Sequence, residues 1–156
     1  MEVLKPVSCV LGCVLALSPA LAAQGQEAVL EDAWVRALPP TQANTAAYVT
    51  VRNPGPEPLV ITGGAAALAG RLELHDTVEV DGMLRMRQQE SVTVPAGEAV
   101  AFAPGGLHLM LLDLERMPAA GEVLKLCLEI NGAPVCTEAE TRRGQASPDR
   151  EHQHHH

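Results

Sequence analysis

The chain has 156 residues, a formal net charge of −8, and one tryptophan, one tyrosine and one phenylalanine. An acidic chain with no basic cluster argues against nucleic acid or an anionic lipid surface as partner. Trp34, Tyr48 and Phe102 are too few to build a stacking platform for bases or sugars, and the length suits one domain with a proper core.

In chain order, the first element is a targeting signal. Lys5 supplies the positive n-region, 7–17 form an apolar h-region, and Pro19 breaks it before Ala20-Leu21-Ala22, an A-x-A cleavage site. The apolar stretch is too short to span a membrane, which predicts a cleaved secretory signal over 1–23, cut after Ala22 or Ala23. Leu11-Gly12-Cys13 also suggests a lipoprotein site, but apolar sequence continues for several residues beyond Cys13, so the cleaved signal is preferred. No second apolar segment long enough to cross a bilayer follows.

Strand patterns then recur at 33–37, 46–51, 59–62, 71–80, 83–88, 92–94, 99–103, 107–114, 123–130 and 134–139, separated by Gly/Pro turns. Short strands spaced this way predict an all-β sandwich or barrel as a single domain over 24–141. The one helical candidate is the alanine-rich stretch 65–69, followed by Gly70. After Thr141 the sequence turns polar and reads as a disordered tail, 142–156.

Cys9 and Cys13 leave with the signal, so the mature chain keeps Cys127 and Cys136. A pair in an oxidising compartment predicts a disulfide. Asn131-Gly132 is a strong hairpin signal. A two-residue turn there pairs Ile130 with Ala133 and, counting outward, Cys127 with Cys136 in a non-hydrogen-bonded pair, where side chains approach closely. A thiolate metal site or redox dithiol would favour C-x-x-C, and eight residues separate these cysteines.

Of six histidines, four crowd the end of the chain as His152, His154, His155 and His156; the others are His75 and His108. Together with Met86 and Met110 they spell His-x10-Met-x21-His-x-Met. Imidazole with thioether is a ligand set for copper, and soft thioether sulfur selects Cu(I). The plain alternative is two core methionines filling gaps and two surface histidines. Strand periodicity tests this. In Leu72-Glu73-Leu74-His75 the leucines face the core and His75 faces out. In Leu107-His108-Leu109-Met110-Leu111 the same rule puts His108 and Met110 on one face. A two-residue turn at Asp81-Gly82 pairs Thr77 with Met86, so Met86 lies diagonal to His75, about 7–8 Å away. Imperfect alternation at Val78 and Val80 suggests a bulge or longer loop there.

These residues resemble the periplasmic copper chaperones of the PCuAC family, whose hallmark is the same His-x10-Met-x21-His-x-Met spacing. Flanking blocks support the likeness: Asp32-Ala33-Trp34-Val35-Arg36, Pro39-Pro40, Ala46-Ala47-Tyr48, Asn53, Glu73-Leu74-His75, Gly82, Pro95-Ala96-Gly97, and Pro104 through Met110. The resemblance implies a cupredoxin-like Greek-key β-sandwich in the periplasm that holds one Cu(I) through His75, Met86, His108 and Met110. It further implies delivery to the CuA centre of cytochrome oxidase, alongside a Sco-type protein. A monomer is expected. Cys127 and Cys136 lie outside the family hallmark.

A blue-copper electron carrier would need a Cys thiolate with two His, which this chain does not offer near the motif. No His, Cys or Ser is placed with an orienting carboxylate as a nucleophile–base pair, so no enzyme is expected. Asp76 beside His75 reads as a solvated charge. The His-rich end has three readings: a Cu(II)-collecting auxiliary site, a tag remnant, or an inert tail; the first is the working expectation. Copper sequestration, or a metal-free envelope interaction module, are the competing functions.

Overall fold

A computed structural model describes residues 28–144. The signal over 1–23, Cys13 and the histidines at 152–156 lie outside the described residues. Ten strands and no helix are present among those described: β1 Val29–Ala37, β2 Thr45–Arg52, β3 Leu59–Ala66, β4 Ala69–Val80, β5 Met83–Gln89, β6 Val92–Val94, β7 Ala99–Phe102, β8 His108–Leu114, β9 Val123–Ile130 and β10 Ala133–Arg143.

The strands form one sheet in the order β5-β4-β8-β2-β1-β10-β9-β3-β6, with β7 also on β2. β2 gives its first half to β8 and its second half to β7. The β1–β10 pair is parallel and the β1–β2 pair antiparallel. Non-sequential neighbours such as β4–β8 and β9–β3 are the crossovers that a Greek-key path requires. Leu74, Leu109 and Leu111 from one end of the sheet share a core cluster with Ile61, Leu126 and Leu128 from the other. The open sheet therefore folds over one core as a cupredoxin-like β-sandwich, as expected.

Alternation explains why each strand sits as it does. In β9, Leu124, Leu126, Leu128 and Ile130 are buried while Val123, Lys125 and Glu129 are exposed. Both sequence-signalled hairpins have the backbone they need. Asp81 and Gly82 have φ of 53° and 75°, and Asn131 and Gly132 have 51° and 78°. Two successive positive-φ residues match the twist of the flanking strands, which is why Asp-Gly and Asn-Gly occupy these places. Ile130 pairs with Ala133 and Cys127 with Cys136, and the two cysteines are disulfide-bonded.

Four expectations change. The stretch 65–69 is not helical: Ala65 and Ala66 end β3, paired with Cys127 and Leu126, and β4 begins at Ala69. Helix propensity of a few alanines is weak against a ready sheet partner. Gly64 belongs to that approach, since a Cβ there would collide with the Cys127 carbonyl oxygen. The β4–β5 ladder has no bulge, running unbroken from Leu74 with Gln89 to Val80 with Met83. β1 starts at Val29 rather than at residue 33; Asp32, at φ 52°, marks a register shift between Glu31 and Trp34 that interrupts the alternation. Finally, β10 continues to Arg143, two residues past the expected start of the tail, because Arg142 and Arg143 pair with Arg36 and Ala37 of β1.

One buried polar residue ties the loops below the sheet. Asn53 is fully buried, with its Nδ2 amide 2.7 Å from the Glu57 carbonyl oxygen and 3.1 Å from those of Val94 and Pro95. Its Oδ1 accepts from the Gly55 N–H at 3.0 Å. Each buried polar atom of the side chain is thus satisfied.

Candidate metal centre

The four motif residues lie on three adjacent strands, β5, β4 and β8, on the sheet face opposite the core. Leu74, Leu109 and Leu111 point inward, at 2 % exposure or less. Their neighbours His75, His108 and Met110 therefore point outward. His75 pairs directly with His108 across β4–β8. Thr77 pairs with Met86, which leaves Met86 diagonal to His75, as the turn register predicts. Glu73 pairs with Met110, and Met110 with Ala46 of β2.

This register lays two rows of side chains across the outer face. Trp34 of β1 pairs with Tyr48 of β2, and His108, His75 and Gln88 continue the row. One step along, Ala46, Met110 and Glu73 form the second row, with Arg36 beside them on β1. Ala46 is the small member. Above it opens a cavity of about 270 Å³ lined by Met86, His108, Met110, Tyr48, Thr77 and Arg36, among others. His75 does not line this cavity. Its ring lies beside that of His108, with centroids 5.8 Å apart and planes at 48°.

The imidazoles are held from behind by different atoms. Nδ1 of His108 lies 2.8 Å from the Gly106 carbonyl oxygen. A carbonyl only accepts, so Nδ1 carries the proton and Nε2 keeps its lone pair. Nε2 of His75 lies 2.9 Å from Oε2 of Glu73. With the carboxylate accepting, Nδ1 of His75 keeps the lone pair. That Nδ1 is buried and has no hydrogen-bond partner among the described residues. A buried, unsatisfied nitrogen costs about 1–3 kcal/mol, so such an atom invites a ligand.

Glu73 is itself anchored. Arg71 donates from one guanidinium nitrogen to Glu73 Oε1 at 2.8 Å and from Nε to Asp113 Oδ2 at 2.9 Å. Those contacts, the Asp113 hydrogen bond foremost, raise the Arg71 pKa above its ordinary value. Asp113, Arg71, Glu73 and His75 thus form one chain of contacts along the outer face. On the other side, Tyr48 is buried at 4 % exposure, stacked on Trp34 at 4.4 Å between centroids, with the Arg36 guanidinium 5.3 Å from its ring centre. Burial pushes the Tyr48 phenol up, partly opposed by the Arg36 charge.

Exposure differs sharply within the set. His108 is 6 % exposed and Met86 63 % exposed. The set therefore runs from a buried imidazole at His108 to an exposed thioether at Met86. Two imidazoles and two thioethers, with no thiolate, make a soft donor set that fits Cu(I). Among the described residues no group of three or more His, Cys, Asp or Glu gathers as a cage for a harder ion.

The sequence pattern assigned no role to Arg71, Arg36 or Tyr48 and placed no orienting carboxylate on a histidine, whereas Glu73 lies 2.9 Å from His75, with no nucleophile alongside among the described residues. Glu73 carried a usable signal: it stands two residues from His75 on one strand and so shares its face.

Comparison with known proteins gives concordant matches. Residues 28–139 match the profile of the LpqE-like lipoprotein family. A curated protein of Leifsonia xyli subsp. xyli, Lxx21020, named as a lipoprotein, is 32% identical over 124 residues, covering 77% of this chain and 74% of its own. Among solved structures, the Cu(I) form of DR1885 from Deinococcus radiodurans is 30% identical with a TM-score of 0.63, over 80% of this chain and 85% of that one. The copper-bound PCuAC domain from PmoF2 is 20% identical, with a TM-score of 0.62 over 75% of this chain and 93% of the other, and speaks for the fold alone. No helix among the described residues is long and apolar enough to cross a membrane.

Proposed function

The chain belongs to the LpqE-like family, and from that premise we propose that it is a copper carrier of the cell envelope. It holds one Cu(I) between His75, Met86, His108 and Met110. The observation that carries this reading is the direct β4–β8 pairing of His75 with His108, each imidazole fixed by one nitrogen and left with a lone pair on the other. The Cu(I)-bound relative from Deinococcus radiodurans supports the choice of ion.

The layout suits transfer rather than catalysis. Met86 sits on the edge strand β5 at 63 % exposure, beside Leu84 at 73 %. An acceptor approaching this edge meets the thioether first, displaces it, and draws the ion outward while the buried His108 releases last. The acceptor we favour is the CuA centre of a cytochrome oxidase subunit, served together with a Sco-type thiol protein. Sequestration without a dedicated acceptor is the competing function; it uses the same site and lacks the transfer step.

For location, we propose export to the periplasm with cleavage after Ala22 or Ala23. The lipoprotein name of the Leifsonia relative favours a second reading, in which Cys13 becomes the lipid-bearing first residue and the protein stays on the membrane. The mass of the mature N-terminus separates the two.

The test of the site is a competition titration of purified protein against a Cu(I) chelator. Wild type binds one equivalent at this site, and His108→Ala or Met110→Leu weakens binding by orders of magnitude. Both variants competing as well as wild type would refute the assignment. Transfer from the loaded protein to an isolated CuA domain, measured by its absorption, then distinguishes delivery from sequestration.

A further inference from the structure

A second cavity, also about 270 Å³, lies next along the same face and is lined by Trp34, Arg36, Pro104, Arg142 and Arg143. Arg36 lines this cavity and the copper cavity alike. The arrangement is unusual for a chain with a net charge of −8. Arg36 and Arg142 are registered side by side in the parallel β1–β10 pair. Like charges placed directly across neighbouring strands destabilise a sheet.

The carboxylates nearby do not neutralise the group. Arg142 Nε bonds Oε2 of Glu140 at 3.0 Å, which leaves its terminal nitrogens uncommitted among the described residues. Neither Arg36 nor Arg143 has an ion pair among the described residues. Arg36 Nε is buried and without a hydrogen-bond partner there. Its guanidinium rests against Tyr48, whose ring in turn stacks on Trp34. Three arginines thus line one small cavity, and among the described residues a single carboxylate, Glu140, pairs with any of them.

We propose that this cavity is an oxyanion site, taking a carboxylate or phosphate group between Arg36, Arg142 and Arg143. The planar guanidinium fork matches two oxygens of such a group, and the bonds are charge-assisted on both sides. Trp34 and Pro104 supply apolar surface beside the guanidinium groups. The cavity lies just below the usual range for drug-sized ligands, about 300–1,000 Å³, so it suits a small anion or one acidic side chain. An anion there cancels the Arg36–Arg142 repulsion and sits one residue away from the copper cavity. Two sources offer this chemistry: a free anion, or Asp149 and Glu151, which follow Arg143 closely in the chain.

Trp34 is the only tryptophan, so its fluorescence reports on this cavity directly. The full chain is titrated with inorganic phosphate and with citrate at constant ionic strength, with chloride as the reference. A saturable change with phosphate or citrate, weakened at least about ten-fold in Arg142→Gln/Arg143→Gln and retained in Arg85→Gln/Arg87→Gln, supports the site and assigns it to free anions. A silent wild type that becomes responsive in Asp149→Asn/Glu151→Gln supports the site and assigns the occupant to the chain's own carboxylates. Circular dichroism confirms that each variant is folded. Silence in both wild type and the Asp149/Glu151 variant, or a response that chloride reproduces or the Arg142/Arg143 variant keeps, overturns the proposal.

Discussion

Glu73 holds Nε2 of His75 at 2.9 Å while standing directly across the β4–β8 ladder from Met110. The carboxylate thus touches one proposed ligand and neighbours another. It fixes which imidazole nitrogen is free. Carboxylate–histidine contacts of this kind orient metal ligands and raise their basicity.

Glu73→Ala should therefore weaken Cu(I) binding by about 10–100-fold, the usual loss when such a support is removed. Glu73→Gln keeps a carbonyl oxygen to accept from Nε2 and should retain most of the affinity. Nitrogen NMR of the metal-free protein adds a readout independent of copper: His75 should be Nε2-protonated and His108 Nδ1-protonated. If His75 is Nδ1-protonated in wild type, the support drawn from Glu73 is wrong.

How much of this was legible depends on the range of the rule involved. His108-x-Met110 on one face, and Met86 diagonal to His75, follow from strand alternation and a two-residue turn, and both appear in the register. The Cys127–Cys136 pairing follows from Asn131-Gly132 in the same way. The contact of Arg71 with Asp113 needs β4 beside β8, a pairing between segments far apart in sequence with no local signature. So does the juxtaposition of Arg36 with Arg142, which requires a parallel β1–β10 pair. The burial of His108 was hidden for a similar reason: alternation gives the face but not how deeply neighbouring segments cover it. The stretch 65–69 departs in the opposite direction: its composition favours a helix locally, and pairing with β9 makes it strand at Ala65 and Ala66.

The disulfide should act on stability alone. It closes a short loop, with a sequence separation of 9, for which the chain-entropy model gives about 2–3 kcal/mol. Cys127 and Cys136 lie on β9 and β10, away from the strands β5, β4 and β8 that carry the proposed ligands. Replacing both by Ser should lower the denaturant midpoint and leave the Cu(I) affinity unchanged. A folded double variant without its copper site would contradict this division. In wild type, alkylation followed by mass spectrometry should find neither thiol free before reduction.

Acid should remove copper before it unfolds the protein. Imidazole must be neutral to coordinate, so protons compete with copper as pH falls between about 8 and about 5, while thioether ligation is indifferent. The fold should resist longer. Arg116 and the Ala119 N–H hold the Glu122 carboxyl down at about 2, against an ordinary 4.5. A depressed carboxyl stabilises the fold fully above its unfolded value and loses that contribution as pH falls from about 4.5 through about 2. Glu122→Gln should raise the midpoint of acid unfolding and leave the copper profile unmoved. Coincident loss of copper and of circular dichroism in wild type would show that the two events are one.

The histidines at 152, 154, 155 and 156 should form a separate Cu(II) site. Clustered imidazoles favour Cu(II), whereas the thioethers of Met86 and Met110 favour Cu(I). The placement of β10 gives this cluster a possible route to the core. Arg142 and Arg143 end the strand beside Arg36 and Ala37, and Arg36 lines the cavity proposed for copper. From Gly144 to His152 an extended chain spans at most roughly 25–30 Å. Copper collected there is held at high effective concentration near the core site. Deletion from Glu151 onward should keep the Cu(I) stoichiometry, lose one Cu(II) equivalent, and slow core loading from Cu(II) plus reductant. If Cu(II) binding and loading rate both survive the deletion, the tail is inert toward copper and the His75–His108 centre accounts for the metal chemistry by itself.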